Sequence, residues 1–123
     1  MEKIVSIKKL NRILNSMEKN AVLTGGEFQF VFPEHIDLFN YAKEKNGITI
    51  VLVKDTQSHI PLEERLEILN SISAIDYIIT SGEDSFISDI KKINGLEIII
   101  QNKEFKLSGS DLKSIKNTEF FGK

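Results

Sequence analysis

With 123 residues, of which 41% are hydrophobic, the chain (residues 1–123) is long enough to bury a core as one domain. A formal net charge of −2 argues against a surface built to bind nucleic acid, and the lack of cysteine excludes disulfides, thiolate metal sites and a cysteine nucleophile. No apolar run is long enough to cross a membrane, and the first residues do not resemble a secretory signal. We therefore expect a cytoplasmic protein without membrane partners.

The chain begins with a predicted helix, which is followed by a short strand. Ser6 is a suitable N-cap for the helix. The inward face of this helix is predicted from apolar residues at helical spacing, namely Ile7, Leu10, Leu14 and Met17. The apolar residues 21–24 predict the first strand, which we expect to be buried.

A glycine pair separates this strand from a second predicted helix. Gly25 and Gly26 predict a turn. Pro33 suits the first position of the helix, which is expected to stop at Asn46-Gly47. Its predicted inward residues are Ile36, Phe39 and Ala42. Residues 48–53 form a nearly continuous β-branched run, which is typical of a strand covered on both faces.

The same alternation continues with a third helix and a third strand. Pro61 begins the helix, whose expected inward residues are Leu62, Leu66, Leu69 and Ile72. Residues 75–80 predict the strand that follows it.

The last part of the chain is predicted to contain two further helices and a fourth strand. Asp84 or Ser85 is expected to cap a helix that carries Phe86, Ile90 and Ile93 and ends at Asn94-Gly95. Residues 96–100 predict the fourth strand, and a short surface helix is expected from about residue 110 to residue 116.

This alternation predicts an α/β fold, a three-layer sandwich with a doubly wound parallel sheet. Helices should cover both faces through right-handed crossovers. In open sheets of this kind, ligands bind beyond the carboxyl ends of the strands, where the strand order reverses. The functional residues are therefore expected in the loops after the four strands, which are the glycine pair and residues 54–55, 81–84 and 101–103.

The most informative segment runs Thr-Gly-Gly-Glu-Phe-Gln-Phe-Val-Phe-Pro-Glu-His over residues 24–35. It resembles the signature of the H-x-G-H nucleotidyltransferases, with residues 24–29 at the family's Thr-Asn-Gly-x-Phe-Asp and residues 32–35 at its His-x-Gly-His. Residues 61–77 resemble the family's helix and following strand, arginine included. Residues 101–105, Gln-Asn-Lys-Glu-Phe, stand at its Lys-Gly-x-Asp-Tyr. The nearest members by this resemblance are domains that activate heptose 1-phosphate or glycerol 3-phosphate.

The resemblance implies a Rossmann-like, cytidylyltransferase-type fold and a specific reaction. A nucleoside monophosphate would pass from CTP or ATP to a small phosphorylated acceptor such as a sugar phosphate, with magnesium as cofactor and release of pyrophosphate. It is also compatible with a homodimer. His35 would be the catalytic residue that contacts the phosphates. The nucleotide-binding positions that the resemblance implies are Thr24, Gly25, Gly26, Phe28, Glu34, Arg65, Gln101 and Lys103.

Three departures from the motif favour an alternative. Phe32 stands at the first histidine and cannot donate a hydrogen bond, although it could offer an apolar surface to a ligand or partner. Glu34 replaces the motif glycine with a carboxylate that would repel a triphosphate, and Gln101 replaces a lysine, for which Lys103 could substitute. Loss of one transition-state donor costs about 10²–10³ in rate. The alternative is a catalytically inactive descendant that binds a nucleotide, regulates a partner or acts as a scaffold.

Several of these residues also have purely structural interpretations. His35 could pack or cap locally, the glycine pair could serve only as a turn, and Phe28 is expected to be a core residue. Arg65 could pair with acids in its own helix. The sequence has no metal-ligand spacing, and His59 and Asp84 are expected in a solvated loop and at a helix cap.

Overall fold

The computed structural model describes residues 2–17, 20–45, 47–114 and 117–122. The elements formed by these residues are α1 (Ile7–Asn15), β1 (Ala21–Gly26), α2 (Pro33–Lys43), β2 (Ile48–Asp55), α3 (Leu62–Asn70), β3 (Tyr77–Gly82), α4 (Phe86–Lys91), β4 (Leu96–Gln101), α5 (Gly109–Ser114) and β5 (Thr118–Phe120). Among the described residues, no helix is long and apolar enough to cross a membrane.

All five strands lie in one parallel sheet with the order β3-β2-β1-β4-β5. β2 and β3 are added successively on one side of β1, and β4 and β5 are added on its other side. The strand order therefore reverses between β1 and β4, which is where open α/β sheets bind ligands. The predicted doubly wound, three-layer fold is confirmed.

The helices cover the two faces of the sheet in pairs. Side chains of a strand alternate between the faces, and Val22 and Leu23 of β1 accordingly join different core clusters. Leu23 packs with residues of α1 and α4, whereas Val22 packs with residues of α2 and α3. Residues 48–53 of β2 are all buried, as the β-branched run predicted.

Both predicted helix starts near the amino terminus are confirmed, but two inward residues are not. Ser6 accepts a hydrogen bond from the Lys9 amide at 3.1 Å, and Pro33 is the first residue of α2. Met17 lies beyond the end of α1 and is 45% exposed. Ile36 is at the surface of α2, because this helix turns His35 inward together with Leu38, Phe39 and Ala42.

The glycine pair does not form the predicted turn. Gly25 and Gly26 are the last residues of β1 and pair with β2. A Cβ on Gly25 would lie 2.8 Å from the Leu52 carbonyl oxygen and 2.9 Å from the Phe105 ring, so the glycine permits close packing. The chain turns only after β1, where Phe28 adopts a left-handed backbone with φ of 50°.

In the second half, α4 ends at Lys91 rather than at the predicted Asn94-Gly95, and one strand start and one capping contact also differ from the prediction. β3 begins at Tyr77 rather than at residue 75. Ser85 occupies the N-cap position of α4, but its side chain makes no capping hydrogen bond to that helix. Gly95 lies in the turn before β4 with φ of 69°, which suits glycine. The predicted end of the last helix at Lys116 and the stop at Asn46 fall outside the described residues.

A fifth strand, β5, was missed. It spans three residues, pairs in parallel with β4, and leads into Phe121, whose amide donates to the Gln101 carbonyl at 2.8 Å. Its middle residue, Glu119, pairs with Lys45 at 2.7 Å and accepts a hydrogen bond from the Tyr41 hydroxyl at 3.1 Å. These contacts attach the end of the chain to the C-terminal part of α2.

We predict that Glu119→Gln lowers the thermal midpoint at neutral pH, because the variant removes the carboxylate that pairs with Lys45. The hydrogen bond to Lys45 lowers the pKa of Glu119 from its ordinary value of 4.5. The stabilisation is thus fully present above pH 4.5 and is lost as the pH falls through the lowered folded-state pKa. Circular dichroism melts should show the difference from the parent protein vanishing in acid.

The matched control is Glu97→Gln, which removes the same charge from an exposed position on β4. Its melting point should stay close to that of the parent at neutral pH. A deficit of Glu119→Gln that persists unchanged in acid would contradict a role for the ion pair.

Candidate functional site

A cavity of about 480 Å³ lies beyond the carboxyl ends of β1 and β4. Four segments line it, and their lining residues are Glu27, Gln29, Phe30 and Phe32 after β1, Glu34, His35 and Leu38 on α2, Asn102, Lys103 and Glu104 after β4, and Phe121 and Gly122 after β5. The cavity therefore lies at the point where the strand order reverses, and the missed strand β5 supplies one of its walls.

A buried hydrogen-bond network joins the ends of β1 and β4 beneath the cavity. The Thr24 hydroxyl donates to the Ile100 carbonyl at 2.8 Å. The Asn102 side-chain amide donates to Thr24 Oγ1 at 3.1 Å and to the Gly25 carbonyl at 2.9 Å. Asn102 Oδ1 accepts from the Glu104 amide at 2.9 Å. Asn102 thus fixes the turn that carries Glu104.

His35 is buried in the first turn of α2, with 6% of its surface exposed. Its Nδ1 accepts a hydrogen bond from the Phe32 amide at 2.9 Å, and its Nε2 contacts the Glu104 carboxylate. An Nδ1 that accepts carries no proton, so the ring's N–H is at Nε2 and is donated to Glu104. The imidazole is held as one neutral tautomer, with both nitrogens engaged.

Aromatic rings enclose His35 on two sides. The buried Phe28 ring meets it edge-on, with centroids 5.3 Å apart, and the Phe32 ring stacks on it at 5.7 Å. Phe28 is 1% exposed, which confirms its place in the core. Phe32 and Phe30 are 51% and 58% exposed, and their ring centroids lie 6.2 Å apart. Together they present a partly solvent-facing aromatic surface to the cavity.

Glu104 is one of the residues of this site that sequence analysis missed, together with Phe30 and Asn102. Besides His35, its carboxylate accepts from the Phe28 amide at 3.4 Å. Sequence analysis expected Glu34 to be the carboxylate that repels a triphosphate beside His35. In the structure Glu34 is an exposed residue of the cavity lining, and the carboxylate that contacts His35 comes from Glu104. A signal for it existed, because Glu104 stands at the acidic position of the Lys-Gly-x-Asp-Tyr motif.

The charges around the cavity are mostly negative. Glu27, Glu34 and Glu104 contribute carboxylates, whereas Lys103 contributes an ammonium group. Among the residues that the structure describes, no group of three or more His, Asp or Glu side chains is placed to hold a metal ion. The electrostatic balance at this site is unfavourable for a polyphosphate.

Arg65 does not line the cavity. It is 2% exposed, and its guanidinium donates to the carbonyls of Glu27 at 2.8 Å, Lys54 at 3.3 Å and Thr56 at 3.2 Å. These bonds connect α3 to the segment after β1 and to the carboxyl end of β2. The arrangement supports neither pairing with neighbouring acids nor direct exposure to a ligand in this cavity.

The remaining predicted site residues occupy two kinds of position. Lys103 lines the cavity, as does Glu34. Thr24 and the glycine pair lie beneath it in β1, and Gln101 accepts from the Leu107 amide at 2.9 Å. His59 is exposed in a loop, as expected, whereas Asp84 is exposed in the turn before α4 and is not its cap, because Ser85 holds that position.

Comparison with known proteins finds distant relatives of the chain and one solved structure with a similar fold. No protein-family model matches the sequence. The chain is 26% identical over 132 aligned residues to the bifunctional protein HldE of Helicobacter pylori strain J99, and 27% identical over 113 to HldE of Helicobacter acinonychis. The alignments cover 96% and 84% of this chain but 28% and 24% of those proteins, so the chain spans about a quarter of their length.

A solved structure has the same fold. The lipopolysaccharide core biosynthesis protein from Thermoplasma volcanium superposes with a TM-score of 0.70 over 85% of this chain and 98% of that one, at 19% identity. The chain is distantly similar to HldE and shares the α/β fold of that solved structure. The resemblance drawn from the sequence is thereby confirmed. The similarity to HldE of Helicobacter pylori covers nearly the whole chain.

We predict that Arg65→Lys lowers the free energy of unfolding by about 1.5–3 kcal/mol, because an ammonium group cannot reach all three carbonyls that the guanidinium bonds. Urea denaturation measures this loss. Arg12→Lys on the exposed surface of α1 is the control and should unfold like the parent. Unchanged stability of Arg65→Lys, together with weakened nucleotide binding, would instead indicate a ligand-binding arginine.

Proposed function

We propose that this chain is a small-ligand-binding protein of nucleotidyltransferase type, whose cavity holds the nucleoside part of its ligand. The position of the cavity at the β1/β4 switch supports this proposal, because doubly wound sheets bind nucleotides there. Its volume of about 480 Å³ lies within the range of small-molecule sites.

The observation that carries the proposal is the exposed pair Phe30 and Phe32. Phenylalanine rings that are half exposed beside a cavity offer flat apolar surface on which a base can stack. The carboxylates of Glu27 and Glu34 are hydrogen-bond acceptors for ribose hydroxyls or exocyclic amino groups. Both features suit a nucleoside better than they suit a triphosphate.

The site offers little to stabilise a phosphoryl-transfer transition state. Phe32 has no donor, and the N–H of His35 is already bound to Glu104. Catalysis of this kind depends on donors and cations that are placed where charge develops. Binding without rapid transfer is therefore the function that the arrangement supports best.

We predict that Phe32→Ala weakens binding of adenosine or cytidine by about 1–3 kcal/mol, the usual contribution of one stacking ring. Isothermal titration calorimetry measures the change. The matched control is Phe120→Ala on β5, which removes a ring of similar exposure, 48%, from a residue that does not line the cavity. Equal affinity of Phe32→Ala and the parent, or no binding of either nucleoside to the parent, would sink the proposal.

Retained nucleotidyl transfer is a second candidate, favoured by His35 in the first turn of α2 beside the cavity and by the homology to HldE. The substrates would be CTP or ATP and a small phosphorylated acceptor, with Lys103 as the cation nearest the phosphates. Magnesium would accompany the triphosphate, since the described residues do not form a three-ligand site of their own.

A pyrophosphate-release assay distinguishes the two candidates. With CTP or ATP, magnesium and sugar phosphates, we expect no turnover by the parent protein. The double variant Phe32→His/Glu34→Gly restores a donor and removes a carboxylate, so it should bind both triphosphates more tightly than the parent. Turnover by the parent, with triphosphate affinity unchanged in the double variant, would favour the enzyme.

A further inference from the structure

We propose that a groove between α2 and α3 is a docking surface for a basic amphipathic segment of another protein. The proposal goes beyond ligand binding, because this groove is separate from the cavity at the ends of β1 and β4. The two share Phe32, which belongs to both linings. The proposal follows from apolar side chains that are exposed in the groove and from the charge of the helices that border it.

The groove contains apolar side chains that the fold leaves uncovered. It has a volume of about 570 Å³, and its lining comes from residues 31–37 and 68–72. Within it, Ile36 is 36% exposed, Ile68 is 48% exposed and Phe32 is 51% exposed. Isoleucine is among the residues most often found fully buried, and exposed apolar side chains that are gathered in one place mark an interaction site.

These side chains have no role in the core of the protein. α2 and α3 turn Phe39 and Leu69, respectively, into the core cluster on their side of the sheet. Ile36 and Ile68 lie off these buried faces and belong to neither core cluster. Their exposure is therefore not explained by the packing of the chain on itself.

The helices that border the groove are acidic on their exposed sides. α3 has three exposed carboxylates, and its one cation, Arg65, is buried and donates to backbone carbonyls. α2 adds two exposed carboxylates and one lysine, Lys43, which pairs with Asp76 at 2.8 Å. The exposed carboxylates are those of Glu34, Asp37, Glu63, Glu64 and Glu67.

Two of these carboxylates lie at the groove itself. Asp37 is part of its lining, and Glu64 lies one turn before Ile68 on the same side of α3. Among the described residues, neither carboxylate pairs with a cation. Lys3, which lies beside Ile72 of the lining, donates its ammonium group to the Ile72 carbonyl at 2.6 Å. The groove thus combines apolar surface with unpaired negative charge.

This combination indicates the chemistry of the partner. An amphipathic helix binds in a groove through apolar side chains spaced three, four and seven residues apart. Lysine or arginine side chains beside those anchors would meet Asp37 and Glu64 with opposite charge, which favours association and orients it. A basic amphipathic segment therefore satisfies both features of the groove at once.

A second copy of this chain is a poorer occupant. Two grooves facing each other would bring carboxylates together, which is unfavourable. The basic surface of the chain is on α1, which has three cations and no acidic residue, namely Lys8, Lys9 and Arg12. Among the described residues near α1, Met17 is the large apolar side chain that is exposed. That surface has the right charge for the groove but little apolar area to insert into it.

The experiment compares two synthetic peptides with one amphipathic pattern. The basic peptide has two repeats of Leu-Lys-Lys-Leu-Leu-Lys-Leu, and the acidic peptide has glutamate in place of each lysine. Both carry fluorescein, and fluorescence anisotropy in about 0.1 M salt measures their binding to the parent protein. We expect the basic peptide to bind at least about tenfold more tightly than the acidic one. This comparison requires no variant of the protein.

Variants then place the peptide in the groove. Ile68→Ala removes apolar surface from the groove, and Glu64→Gln removes one carboxylate beside it. Each should weaken binding of the basic peptide by about threefold or more. The matched controls are Phe120→Ala on β5, where the ring is also 48% exposed, and Glu83→Gln in the turn before α4. Both controls should bind the basic peptide as the parent does.

The possible results decide for or against the groove. Preference for the basic peptide, weakened by both groove variants and by neither control, supports the proposal. Equal binding of the two peptides, no binding of either, or groove variants that bind like the controls overturns it. Analytical ultracentrifugation of the protein alone tests the second copy, since a dimer that Ile68→Ala dissociates would also overturn the proposal. Ile68 and Glu64 do not line the cavity, so these results are independent of nucleoside binding.

Discussion

The site depends on the hydrogen-bond chain that crosses from β1 to β4 through Asn102. These two strands are neighbours in the sheet, and their backbone pairing ends at Thr24 and Ile100, so side chains determine how the segments beyond that pair are arranged. Asn102 does this by donating to Thr24 and Gly25 of β1 while accepting from the Glu104 amide. Both the nitrogen and the oxygen of the buried Asn102 side-chain amide are hydrogen-bonded, and the position of this amide determines where Glu104 contacts His35 of α2.

As a consequence, His35 in the first turn of α2 has an acidic partner, Glu104, from the same chain. The Glu104 carboxylate makes a charge-assisted hydrogen bond to His35, which is stronger than a bond between two neutral groups. Because Glu104 belongs to the chain itself, this hydrogen bond stabilises the fold without any bound ligand.

The sequence predicted the layers of the fold well because those signals are local. The β-branched run of β2 and Pro33 at the start of α2 each identify an element from a few neighbouring residues. β5 gave no such signal, because three residues with Glu119 at the centre show neither alternation nor a long apolar run. It forms because β4 offers a free edge and Lys45 offers a charge, and both are distant in sequence.

The candidate site was predictable in position but not in its contacts. Residues 24–35 and 101–105 were both identified, yet Glu34 was given the role that Glu104 holds, because sequence proximity placed Glu34 in the same turn as His35. Side chains at successive helix positions point about 100° apart, so the inward rotation of His35 turns Glu34 outward. The carboxylate that contacts His35 comes instead from the turn after β4, because β4 is the neighbour of β1 at this edge of the sheet.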